Sequence, residues 1–212
     1  MTKLLPGVLA MAIVVVASNI LVQFLLLGGL LTWGAITYPF AFLVTDVMNR
    51  VYGPQTARRV VLAGFLVGVL CSLIGSQIML EGDGYTYAAV PLRVAVASGV
   101  AFLAAQLTDI FVFNRMRGGA WWNAPLISSV AGSLLDTALF FTIAFAAFLS
   151  FGPTADSQIS WAWDAASFLN VGPDVPLWIS LAVADWMVKM ALVLIALVPF
   201  RIITKNVTQN PA

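Results

Sequence analysis

From Leu4 to Thr45 the chain carries no charged residue, a run of more than forty positions that ends on Asp46. Such a run gives a water-soluble fold almost nothing polar for its surface. The rest of the sequence continues the pattern: 61% of its 212 residues are hydrophobic and 9% charged. A soluble domain carries about 25% charged residues. The medium around most of this chain is therefore lipid. A membrane-spanning helix needs about 20 mostly apolar residues, and six runs qualify, at 4–27, 30–50, 59–80, 91–113, 124–151 and 175–200. Barrel strands are shorter than these runs, and in lipid each backbone polar group must bond within its own segment. The sequence predicts an all-α integral membrane protein, one six-helix membrane domain over residues 1–212. No cleaved leader is expected, because the first run exceeds the roughly 7–15 apolar residues of a signal peptide.

The breaks between the runs carry further information. Gly28-Gly29 alone separates the first two, so that turn must be tight. Pro39 lies inside the second run, removes a backbone donor and should kink that helix, a device found where helices line a cavity. The fifth connection is the longest. Within it ISWAWDAASFLN (159–170) is rich in aromatics and too short to span. It predicts a helix lying in the outer interface, either as an anchor or as a lid over an outward cavity.

Orientation follows from the basic residues. With the N-terminus inside, Lys3, Arg50, Arg58, Arg59, Arg115, Arg117, Arg201 and Lys205 all fall on the cytoplasmic side. The opposite side receives Glu81, Asp83, Asp156, Asp164 and Asp174, with Arg93 near it. Lys and Arg concentrate on the cytoplasmic side of membrane proteins, so both termini are expected there.

Several chemistries are excluded. The net charge is +1, so nothing points to a nucleic-acid partner. With no histidine and one cysteine, Cys71, there is no metal-ligating set and no internal disulfide. The GxxxxGK[ST] phosphate loop is absent. No paired catalytic motif lies within a span, and nothing resembles a selectivity filter. The expectation is a protein with no cofactor, no metal and no catalytic residues.

A charge at the centre of a bilayer costs at least about 2.5–3.5 kcal/mol, so it needs a partner or a task. The spans keep five: Asp46, Asp109, Asp136, Asp185 and Lys189. Asp46 and Asp109 fall near the cytoplasmic ends of the second and fourth spans. There they can pair with Arg50 and Arg115, or with Arg117, as a gate. Asp136, Asp185 and Lys189 fall near mid-span. Asp185 and Lys189 are four apart and share a helix face, either as a self-neutralising pair or as a polar anchor on a pocket. Ser129, Gly132, Ser133 and Asp136 form a stripe on the fifth span, which suits close helix packing or a polar cavity wall. Asn19, Gln23 and Gln106 add polar positions on the first and fourth spans. VTDVMNR (44–50) and LTDIFVFNR (107–115) are alike, through duplication or as two similar helix ends.

Taken in order, SNILVQ (18–23), TWGAITYPFAFLVTD (32–46), YGPQTARR (52–59), QLTDIFVFNRMR (106–117), WWNAPLISS (121–129), LLDTALFF (134–141) and ADWMVK (184–189) resemble the queuosine precursor transporters. That family is also described as vitamin uptake transporters. The resemblance implies an importer, in the bacterial inner membrane, of the 7-cyano- and 7-aminomethyl-7-deazaguanine precursors used in tRNA modification. It also implies kinship with the substrate-binding subunits of energy-coupling-factor transporters. The residues suit such a ligand. A guanine-like edge offers two adjacent donors that match one carboxylate, and its carbonyl suits an ammonium or amide donor. The expected substrate contacts are Asn19, Gln23, Trp33, Tyr38, Gln106, Ser133, Asp136, Asp185 and Lys189, with Trp122 a further ring for stacking. The leading expectation is a stand-alone secondary carrier or facilitator. The alternatives are a binding subunit served by a separate ATPase and, less favoured, an intramembrane enzyme. The expected partners are the small-molecule ligand and membrane lipid, and the sequence does not fix an oligomeric state.

Overall fold

The structure is a computed structural model that describes residues 4–21, 24–26, 30–82 and 85–209. Helix α1 (Leu5–Leu21) is followed by a small hairpin in which β1 (Leu25–Leu26) pairs with β2 (Leu31–Thr32). The expected Gly28-Gly29 turn lies outside the described residues. Helix α2 (Trp33–Thr37) is capped by Thr32, whose hydroxyl accepts from the Ala35 amide at 3.2 Å. Helix α3 (Phe40–Tyr52) continues after a break at Tyr38-Pro39. Pro39 brings no N–H, and the bonds across the break shorten to three-residue steps, Ala41 N–H to Tyr38 O and Phe42 N–H to Pro39 O. The kink therefore stands where the proline predicts it.

Gly53, at φ 85°, turns the chain sharply from α3 into α4 (Pro54–Gln77). That conformation favours glycine, and Pro54 at the first helical position loses no bond by lacking its N–H. A hairpin of β3 (Met79–Gly82) and β4 (Tyr85–Ala88) leads to α5 (Leu92–Met116), and a short connection leads to α6 (Asn123–Phe145). The long connection holds α7 (Pro153–Ser157) and a ladder of β5 (Ala165–Ser167) with β6 (Asp174–Pro176), before α8 (Leu177–Gln209).

Among the described residues, α4, α5, α6 and α8 are long and apolar enough to cross a membrane. Helix α1 has 17 residues, about 26 Å at 1.5 Å per residue. The second expected span is the helix broken at Pro39. The six runs therefore become four uninterrupted helices, one shorter helix and one kinked pair. The outward faces are apolar: Leu62, Leu66, Leu70 and Leu73 of α4 are 50–62% exposed. Such a contiguous apolar surface suits lipid rather than water.

Residues 159–170 do not form the expected single helix. Two 3₁₀ turns, Ser160–Trp163 and Phe168–Asn170, flank β5. Leu169 and Asn170 have φ of 50° and 64°, which a right-handed helix excludes. Tertiary contacts override the local pattern. The Trp163 indole donates to Phe145 O at 2.7 Å, and Ile159 and Ala162 are buried with Phe141 and Phe145.

The bundle centres on α5 and α6, which run antiparallel in close contact. Gly132 makes the approach possible. A Cβ there would lie 2.7 Å from the Phe42 ring and 3.2 Å from Ala105 O. Helix α3 packs on α5 and α8, and Met11, Met48, Val60, Phe102 and Ile110 join it to α1, α4 and α5 in one apolar cluster.

Candidate functional site

Two polar clusters occupy the interior. The first is built around Lys189, midway along the membrane helices. Its ammonium donates to Asp136 Oδ2 at 2.7 Å, pairs with Asp185 Oδ2 at 2.5 Å and donates to Thr137 Oγ1 at 3.1 Å. Thr137 in turn donates from its hydroxyl to Asp185 Oδ2 at 2.8 Å. The Tyr38 hydroxyl, delivered by the break at Pro39, donates to Asp136 Oδ1 at 3.0 Å. The Lys189 ammonium also lies 5.6 Å from the centre of the Tyr38 ring, within cation–π range. Helices α6 and α8 thus bring two carboxylates around one ammonium. The sequence suggested Asp185 and Lys189 as a pair on one helix. The structure places Asp136 in it as a third member, and all three are buried.

The second cluster joins α3, α5 and α6. Asp46 accepts from the hydroxyls of Ser128 and Ser129 at 3.2 and 3.1 Å. Thr45 donates to Gln106 Oε1 at 2.6 Å. Asp109 packs its Cβ against Gly132 and lies within hydrogen-bonding reach of Asp46. The two similar motifs thus meet side by side. Asn49 and Asn114 both donate to Ile110 O, at 3.4 and 2.8 Å.

The expected arginine gate is not formed, and the carboxylates of Asp46 and Asp109 have no ion pair with an arginine among the described residues. Arg50 donates instead to the carbonyls of Arg117 and Trp121. Arg117 donates to Asn49 O at 2.6 Å and Asn49 Oδ1 at 2.8 Å. Both guanidinium groups lie over the Phe113 ring, at 5.5 and 5.6 Å. Partial burial, and then the like charge of Arg50, hold the Arg117 guanidinium below its usual range. Arg115 is exposed. The physical reason is geometric: carbonyls of the α5–α6 connection take Arg50, Asn49 of α3 takes Arg117, and serines of α6 already occupy Asp46.

The other expected residues divide. Gln106 and Ser133 are completely buried beside the second cluster. Asn19 bonds to Val15 O within its own helix, at 2.8 Å. Gln23 lies outside the described residues. Trp33 and Trp122 are 46% and 43% exposed, and the central ring is Tyr38. Thr45, Ser128 and Thr137 were missed. Spacing could have found two of them, since Ser128 precedes Gly132 by four and Thr137 follows Ser133 by four.

Asp46 and Ser129 also line a cavity of about 40 Å³ between α3, α6 and α8, walled by Pro39, Phe42, Pro199 and Phe200.

Residues 32–204 match a protein family described as "Putative vitamin uptake transporter". The chain is 38% identical over 142 residues to the queuosine precursor transporter of Escherichia coli, covering 63% of this chain and 64% of that one. It is 36% identical over 121 residues to the probable queuosine precursor transporter of Haemophilus influenzae, covering 54% and 52%. A third relative, the probable queuosine precursor transporter of Bacillus subtilis, is 27% identical over 194 residues, covering 87% and 76%. The chain spans less than two thirds of the length of the first two. No solved structure matches it significantly. The family is one of transporters, not enzymes. With its apolar helices and a match over most of its length, this multi-pass membrane chain belongs to the vitamin uptake transporter family.

Proposed function

We propose that the chain imports queuosine precursors, 7-cyano- and 7-aminomethyl-7-deazaguanine, across the bacterial inner membrane. It crosses six times with both termini inside and works as a stand-alone carrier. The observation that carries this reading is the Asp136–Lys189–Asp185 triad with Tyr38 at its edge. A deazaguanine presents a ring N–H and an amino group side by side, which one carboxylate accepts together. Its carbonyl accepts from an ammonium, and its flat face lies well against a tyrosine. The triad holds each of these groups at mid-span, already paired with one another. A ligand therefore exchanges for internal bonds and leaves no charge bare. Ligand pockets measure about 300–1,000 Å³, so admission requires α3 and α8 to part beyond the cleft at Asp46.

The test is binding of the two deazaguanines to the purified protein. Asp136→Asn exchanges an acceptor oxygen for a donor. It should weaken binding at least about tenfold, since a hydrogen bond to a charged group contributes about 1.5–3 kcal/mol. Unchanged affinity removes Asp136 from the site. Uptake that appears only when a separate ATPase module is supplied would make the chain a binding subunit instead.

A further inference from the structure

Buried polar atoms without a partner gather in one place. Among the described residues there are five, and four belong to Gln106, Asp109 and Ser133. All three residues are completely buried, on the faces where α5 and α6 meet around Gly132. Both carboxylate oxygens of Asp109 are among them. An ionised carboxylate with no countercharge is among the most costly groups to bury. Its polar neighbours are Ser128, whose hydroxyl donates to Asp46, and a second carboxylate, Asp46 itself.

Among the described residues, no cation is placed to neutralise the two. On α3 and α5, Arg50 and Arg117 bond to backbone carbonyls and Asn49, and Arg115 is exposed. On α8, Lys189 is held by Asp136 of α6 and by Asp185, while Arg201 lies over Trp121. Helix α4 offers only Arg58 and Arg59, both exposed, and α1 has no charged residue. A metal ion is also poorly served. The serine hydroxyls point their protons at Asp46, and Gly132 closes on the Asp109 side. Two facing carboxyls settle this by holding one proton between them.

We propose that Asp46 and Asp109 form a proton-binding pair, and that this proton is the coupling ion of the transport cycle. One carboxylate takes up a proton and donates it in a hydrogen bond to the other. When water reaches the pair, the proton leaves and both groups ionise. The cavity lined by Asp46 and Ser129 is the access route, with room for water. Helix α6 links the pair to the substrate cluster, because Asp136 stands two turns beyond Ser129 on the same buried face. The proposal rests on the carrier reading, and the experiments separate the two.

The first measurement needs no substrate. Infrared spectra of the purified protein at neutral pH should contain the C=O band of a protonated carboxyl. Asp109→Asn should remove it, and Asp109→Glu should keep it. A spectrum without the band, or a band that survives in both Asp109→Asn and Asp46→Asn, overturns the proposal whatever the protein carries. The second uses proteoliposomes and 7-cyano-7-deazaguanine. An inward gradient of about one pH unit should concentrate the compound up to about tenfold for one proton per substrate. Asp109→Glu should still concentrate it, whereas Asp109→Asn should bind it and only equilibrate it. Uptake that ignores the pH gradient, or follows a sodium gradient, overturns proton coupling and leaves the carrier standing. A protein that neither binds nor moves the compound overturns the carrier reading, and the coupling with it.

Discussion

At the scale of single residues, the interior charges rank themselves by what each would leave behind. Lys189→Met leaves Asp136 and Asp185 facing each other without a cation. Removing one partner from a buried ion pair costs about 3–5 kcal/mol, so thermal unfolding of this variant should show the largest loss in the triad. Asp185→Asn should cost less, because Lys189 keeps Asp136 at 2.7 Å. Reversal of that order would mean Lys189 does not bridge the two. Tyr38→Phe removes one hydrogen bond to a carboxylate. It should destabilise by about 1.5–3 kcal/mol, measured by thermal unfolding in detergent. The sequence disclosed these residues because charge is so rare in the spans. It did not disclose who pairs with whom. Asp185 and Lys189 are local partners and legible by spacing, whereas Asp136 reaches Lys189 across 53 positions. Asp46 misled for the same reason: an arginine one turn away is the obvious partner, and the actual donors, Ser128 and Ser129, stand 82 and 83 positions away.

At the scale of elements, proline and glycine marked the breaks well, and aromatic composition marked them poorly. Pro39 kinks the chain between α2 and α3, while 159–170 takes its shape from Phe141 and Phe145 beneath it. The run expected at 91–113 lies in helix Leu92–Met116. For α1 the apolar run continued to 27 but the helix stops at Leu21, because apolarity alone cannot tell a helix from an adjoining strand. Gly132→Val tests the α5–α6 contact. Its side chain meets the Phe42 ring and a fixed carbonyl, so it should destabilise by about 1–3 kcal/mol, with fully retained stability counting against the close approach. A second element-level prediction concerns pH. Asp156 accepts from the Ser150 hydroxyl, the Phe151 N–H and Arg93, which together hold its carboxyl below the usual range. A depressed folded-state value contributes stability that is complete above the unfolded value of about 3.9 and is lost as pH falls through the folded one. Proteolysis or hydrogen exchange in residues 146–157 should therefore accelerate on acidification below about pH 4. Asp156→Asn should flatten that dependence.

At the scale of the whole molecule, the distribution of Lys and Arg predicts an orientation that can be tested directly. In a Cys71→Ser background, single cysteines placed in 86–88 should react with an impermeant reagent added outside. Those in 118–120 should react only from the cytoplasm. The reverse pattern would invert the protein in the membrane. A contact at the Arg93 end of α5 has a larger consequence. Arg93, fully buried in the first turn of α5, donates to the carbonyls of Ile143 and Ala146 at the far end of α6. The opposite ends of these helices are joined by the short connection 117–122, and Gly132 locks their middles. In the carrier proposed above, α5 and α6, fastened at three levels, form the stator. The rotor is then what leans on it: α3 with Tyr38 at its hinge, and α8 with Lys189. A disulfide stapling α5 to α6 should leave transport running, whereas one stapling α3 to α8 should stall the machine with its cargo site shut.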